Sequence, residues 1–353
     1  MNVQLDRRVR QENGRELVSL GLDGGHVGHH YFTAMSWLSD SRHLVLAIGI
    51  DPETLACSYA VVDTVTGKGE LIVERSEWGC GVVSRQDVFF GLLEEGTRVF
   101  AYDASTGRLD VIGQAEAGTR LHGPLSIAGD GETIGLSWSR GDRSVIGVLH
   151  VRTGELEAII EPSFSEPYPV ANHAMINPVH PELVFYAHEG RTEHIPDRLW
   201  VVNRTTGEAR NIFRQQKLED GTHGQYVGHE MWAPDGSGLI FVAYAQSPWK
   251  PTGIYYAEKD GETSRFVNGD HKYWHVAASP DGRWLVADTQ EPDHVASIVR
   301  IEAASGTSEL LVRLPYWPRH PGHPHPSFSP DGRRIVFTYA GEGGALRVGI
   351  LEP

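Results

Sequence analysis

Seven times along the chain a polar residue and a glycine open an alternating apolar stretch: "NGRELVSL", "TGKGELIV", "TGRLDVIG", "TGELEAII", "TGEARNIF", "DGETSRFV" and "SGTSELLV". The glycines Gly14, Gly67, Gly107, Gly154, Gly207, Gly261 and Gly306 fall 40 to 54 residues apart. A second signature interleaves with the first, a tight turn followed by β-branched and aromatic residues. Its copies are "LSDSRHLVLAI" (38–48), "AGDGETIGLSW" (128–138), "NPVHPELVFYA" (177–187), "APDGSGLIFVAY" (233–244), "SPDGRWLVADT" (279–289) and "SPDGRRIVFTY" (329–339), with a weaker one near "SRQDVFFGLL" (84–93). Proline pre-sets the first corner of such a turn and glycine accepts the positive φ of the last. The flanking alternation reads as strand, and no helical period competes with it. A unit recurring seven times at this period predicts an all-β chain, a seven-bladed β-propeller of four-stranded antiparallel blades. A sandwich or a pair of barrels would need unrelated turns to recur at one spacing.

The copy count also predicts how the ring closes. The last stretch, "ALRVGILEP", supplies only the third strand of the seventh blade, whereas Gly14 precedes any blade. The N-terminal segment around "GRELVSLG" is therefore expected to complete blade seven, which removes a free sheet edge. Residues 1–353 are read as one propeller domain, with about residues 1–20 finishing the last blade.

Composition excludes several classes of function. The net charge is −15, with no basic block, which argues against a nucleic-acid partner. No stretch reaches the roughly 20 apolar residues that span a bilayer. The opening "MNVQLDRRVRQENGREL" lacks the apolar core of a signal peptide, and Cys57 and Cys80 are too few for a disulfide framework. These features lead to the expectation of a cytoplasmic protein.

Histidines carry the functional signal. His173, His229, His275 and His325 each stand five residues before the turn residues Pro178, Pro234, Pro280 and Pro330. In a propeller the strand running into this turn is the innermost, so residues sharing a register converge on the axis although 46 to 56 positions apart. Histidine has no special strand propensity that would place it there four times. In "RHPGHPHPSFSPDG" (319–332), His323 and His325 flank one residue and share a face, and His320 lies one short turn earlier. With His275 from the neighbouring blade, these residues form a candidate set of ligands for one divalent metal ion. Neutral nitrogen donors suit zinc, manganese, iron or nickel. His29, His30, His188 and Glu189 are further candidates for the same mouth, and Trp232, Trp274 and Trp317 for stacking on a ligand or between blades.

The stretches "HHYFTAMSWLSD", "NHAMINPVHPELVFYAHEG", "DRLWVVNRTTGE", "GHEMWAPDG", "YWHVAASPDG" and "HPGHPHPSFSPDG" make the chain resemble the oligogalacturonate lyases, polysaccharide lyase family 22. That resemblance implies a carbon–oxygen lyase that cleaves short acidic oligosaccharides, oligogalacturonides from pectin, by β-elimination with manganese. It implies metal ligation by His275, His323 and His325, with His320 at the position of a family glutamine, a departure that bears on metal and substrate preference. It also implies His229 as the base and Arg198, in "DRLW", as an assisting cation. His173, one blade earlier in the same register, is the competing base. Met231 stands where the family motif has an aromatic residue. Two other readings remain: a lyase for a different uronic-acid glycan using the same metal site, and a non-catalytic interaction propeller of the TolB or WD-repeat kind.

Overall fold

A computed structural model describes residues 1–353. Seven antiparallel sheets follow one another along the chain, five of them plain four-stranded meanders. Their innermost strands are Val27–Gly28, Val82–Val83, Thr119–Ile127, Val170–Ile176, Val227–Trp232, Tyr273–Ala278 and Ser327–Phe328, numbered here as blades one to seven. Helix is confined to three short 3₁₀ turns. The seven-bladed propeller expected from the repeat is thus the fold.

The interleaved turns fold as their chemistry requires. In "SPDG" of blade six, the Ser279 hydroxyl donates to Asp281 and accepts from the Trp284 amide, and Gly282 takes φ 70°. In blades one and two Ser41 and Asp87 hold the same left-handed conformation at φ 54° and 59° without being glycine. The turn is set by the fold there, against a modest backbone cost.

Closure goes further than the sequence suggested. Arg15–Gly21 pairs with Leu346–Leu351 and completes blade seven, burying Leu17 and Leu20. Asp6–Glu12 then adds a fifth strand outside it. Asn2–Gln4 crosses the seam and pairs with Lys68–Glu77 of blade one. The first residues therefore clasp both sides of the join. Adjacent blades pack through apolar faces; Trp232 of blade five, for example, donates its indole N–H to the Met175 carbonyl of blade four.

The innermost strands carry the irregularities that matter. Blades four, five and six break register at Asn172/Met175, Gly228/Met231 and Tyr273/Val276. These bulges contain His173, His229 and His275, and bulges re-aim side chains. His173, His229 and His325 also adopt positive φ, at 55°, 55° and 48°. Left-handed backbone at a non-glycine residue costs of order 1–3 kcal/mol and persists where its surroundings enforce it.

Candidate metal centre and active site

Three of the four register histidines meet at one mouth of the axis, and His173 reaches them across Tyr31, whose ring lies 5.7 Å from His173 and 4.7 Å from His325. The ring centroids of His275 and His325 are 4.2 Å apart, and those of His229 and His275 are 4.0 Å apart. Tyr31 and Phe32, in the segment after blade one's inner strand, fill the centre; Phe32 lies 5.4 Å from His275 and 5.9 Å from His325.

His275, His323 and His325 form the candidate metal set. One ligand atom from each can be chosen so that all three lie within 4.8 Å of one another. His275 Nε2 and both ring nitrogens of His323 and His325 are buried with no hydrogen-bond partner. A buried polar atom without a partner is costly, and three imidazoles that each bring one such nitrogen to a common point need something to bind them. A divalent cation answers that need, so the residues fit the metal that the sequence suggested. His320 is beside this group rather than in it, with its ring 4.2 Å from His323 and 5.2 Å from His325. Three of the four expected ligands thus converge, and the fourth forms the wall next to them.

Of the three candidate ligands, the His275 ring is the one held from behind by a side chain. The Nδ1–H of His275 donates to Asp288, which leaves Nε2 with its lone pair toward the cluster. Asp288 also accepts the backbone N–H groups of His275 and His325. His29 does not line the mouth. Its Nε2–H donates to the His325 carbonyl at 2.7 Å, and its Nδ1 accepts from the Thr338 hydroxyl at 2.8 Å. A carbonyl can only accept, so this chain fixes the tautomer.

Burial keeps these imidazoles neutral. It pushes His275 and His325 well below the usual histidine range, and crowding by neighbouring imidazoles adds to the effect. His323 falls to about 2 and His320 to about 4 for the same reasons. Neutral histidine is the ligating form. Asp288 moves the other way, up to about 8, because burial outweighs the N–H donors that favour its carboxylate.

His229 Nδ1–H donates to the Trp274 carbonyl at 2.6 Å, with the Tyr244 hydroxyl 2.9 Å from the same nitrogen. Nε2 therefore carries the lone pair. Gly228 is required here, since a Cβ at that position would collide with the Tyr244 hydroxyl. Burial lowers the His229 pKa well below its ordinary value. His173 is likewise lowered by burial, and its ring lies 5.7 Å from Tyr31 at the edge of a cavity of about 220 Å³.

Arg198 holds a carboxylate bidentately, as expected of it, but the carboxylate belongs to the protein. Its Nη1 and Nη2 donate to Glu189 at 3.0 and 3.1 Å, and its Nε donates to Glu230. The guanidinium side chain is only 4% exposed. A buried cation needs such neutralisation. Against burial, which raises it, Arg198 holds Glu189 at about 2. His188, adjacent to Glu189, is turned away; it stacks on Phe164 and donates to Asp197. His30 packs against Phe89 with both ring nitrogens unpartnered. Trp317 sits edge-on to His26, and Trp274 packs 4.0 Å from His323.

Sequence reasoning missed Asp288, Trp78, Tyr244 and Glu230. Asp288 had left a trace, being a carboxylate in the apolar strand "WLVADT". Trp78 stacks on His325 at 5.8 Å and lies 5.2 Å from His320. No pattern in the sequence marks it. An apolar cavity of about 440 Å³ lies among the opposite ends of the inner strands, lined by Met35, Met175 and Met231. None of the clustered histidines borders it.

The fold and the site define a seven-bladed propeller with a buried polyhistidine centre at one axial mouth. Residues 146–299 match the family model of the oligogalacturonate lyases. The chain is 25% identical over 207 residues to the oligogalacturonide lyase of Pectobacterium atrosepticum, a match covering 53% of this chain and 50% of that protein. It is 23% identical over 211 residues to the oligogalacturonate lyase of Dickeya dadantii, covering 54% and 50%. These matches span about half the length of the curated relatives. Among solved structures, an oligogalacturonate lyase in complex with manganese superposes with TM-score 0.86 at 20% identity, over 100% of this chain and 97% of that one. The oligogalacturonate lyase of Vibrio parahaemolyticus gives 0.84 at 19% identity, over 100% and 98%. The resemblance read from the motifs is thus present in the family model, in the curated relatives and in the fold.

Proposed function

We propose that this chain is a metal-dependent lyase that cleaves short uronate oligomers, oligogalacturonides, by β-elimination. The observation that carries this reading is the buried group of His275, His323 and His325, whose free nitrogens face one another beside a neutral His229. The manganese complex of a structural relative supports manganese as the ion. A cation held there would polarise the carboxylate at C5 and ease loss of the α-hydrogen.

The chain's own residues supply the rest. His229 Nε2 takes the C5 proton while its Nδ1–H remains on the Trp274 carbonyl. The C5–H electron pair becomes the C4=C5 bond, and the C4–O bond breaks. The departing oxygen takes up a proton, balanced by the one that His229 received from C5 and passes on, so it ends as a hydroxyl and no water is consumed. Arg198 acts on substrate only when Glu189, the more exposed of its two partners, swings aside; otherwise it fixes the geometry around His173 and Tyr244. A cytoplasmic setting accords with the two free cysteines, and no helix is long and apolar enough to cross a membrane.

The test follows ultraviolet absorbance of the 4,5-unsaturated product from di- and trigalacturonate, with manganese and with chelator. Metal-dependent absorbance growth is the expected result. Product from another uronic-acid glycan alone would move the substrate assignment. Silence on every uronate oligomer, with metal supplied, would sink the lyase reading in favour of an interaction propeller.

A further inference from the structure

The register that carries histidine in blades four to seven carries small or non-ionised residues in the others. Counting five back from Ser39, Arg85 and Gly129 gives Ala34, Cys80 and Pro124. One side of the mouth is therefore walled by imidazoles and the other is open. The cavity of about 220 Å³ occupies this open side, running from His173 and His320 out to Cys80, Arg120 and His122.

We propose that this cavity is a second uronate subsite, in which Arg120 and His122 receive the carboxylate of the sugar next to the one being cleaved. The inference rests on the lyase reading for its substrate class. Arg120 and His122 are two apart on the strand Thr119–Ile127 and so share a face. The imidazole of His122 is tied through Nε2 to the Ser139 hydroxyl at 2.7 Å, which leaves Nδ1 for a ligand.

Arg120 is the one guanidinium lining the cavity, and it differs from Arg198 in being available. Its single ion pair, to Glu77 at 3.2 Å, joins side chains that are 54% and 36% exposed. Such a pair is worth about 0–1 kcal/mol, so an incoming carboxylate can replace Glu77. A planar fork suits that exchange. In a chain of net charge −15, a polyanionic substrate needs such a local cation. At the inner end Trp78, fixed by its indole N–H to the His29 carbonyl, lines the cavity with an aromatic side chain.

The experiment compares the wild type with R120Q and R120K, using two readouts. One is steady-state turnover of trigalacturonate with manganese; the other is calorimetric binding of trigalacturonate, which needs no turnover. The expected result for R120Q is a KM and a Kd raised about ten-fold with kcat nearly unchanged, because a charge-assisted contact is lost. R120K should recover part of the loss, and manganese affinity should be unaltered in both. An active R120Q with KM and Kd equal to wild type overturns the subsite and leaves the lyase assignment standing. Wild-type binding without turnover, weakened by R120Q, supports the subsite and refutes the lyase. A wild type that neither binds nor cleaves refutes both.

Discussion

Asp288 and His275 form a buried pair in which one carboxylate accepts both the Nδ1–H at 2.8 Å and the backbone N–H at 2.8 Å of the same histidine. Its second oxygen also takes the His325 amide at 3.1 Å, so a single side chain ties two ligand-bearing blades together. Both side chains of the pair are fully buried.

This pairing predicts that D288N weakens manganese binding about 10- to 100-fold while the protein stays folded, since loss of a partner behind a ligating histidine typically costs that much. Titration calorimetry with manganese, alongside circular dichroism, checks both halves. Unchanged affinity would show that His275 is oriented by packing alone.

The histidines divide by role. H325A should abolish metal binding and turnover together, because the imidazole offered to the metal is lost, whereas its backbone N–H, and with it the Asp288 link, remains. H229A should keep the metal and lose about 10²- to 10⁴-fold in kcat, the usual contribution of a positioned base. H173A, with its ring at the cavity edge, should raise KM more than it lowers kcat. The opposite pattern between H229A and H173A in metal-loaded kinetics would exchange their roles.

Arg198 and Glu230 predict a non-additive pair. Both side chains are buried, at 4% and 0% exposure. Removing Glu230 leaves the buried Nε–H of Arg198 without its acceptor while Glu189 still pairs the cation, so E230M should cost about 1–3 kcal/mol in chemical denaturation. R198M/E230M should cost less than the sum of R198M and E230M, because the contact between the two side chains is lost only once. Additive losses would mean that Glu230 contributes nothing through Arg198.

Acid should weaken the fold from a pH well above the carboxylate range. His30 is pushed by burial to about 3, and His29 by burial to about 4, against 6.5 for the free side chain. Between those values the unfolded chain holds the proton and the native state does not, so stability is full above about 6.5 and declines as pH falls toward 4. Thermal melts between pH 7 and 4 should show a steady drop in Tm. H30F, which retains the stacking on Phe89, should flatten that slope by about one proton's worth. A slope identical to wild type would mean that His30 is already charged or hydrated.

The repeating turns, the seven-fold count, the closing N-terminal strand and the four histidines in register were all legible in the sequence. They follow from local chemistry: Pro-Asp-Gly turns, period-two alternation, and equivalent positions in equivalent blades. Tertiary structure alone decided which groups face each other across blades. It placed His320 beside the three candidate ligands, spent Arg198 on Glu189 and Glu230, and put Asp288 behind His275. It also laid Asn2–Gln4 across the seam. Strand register and the bulges at His173, His229 and His275 set these contacts, and a shift of one residue would reverse every side chain. Such choices depend on packing summed over neighbouring sheets, which no short stretch of sequence contains.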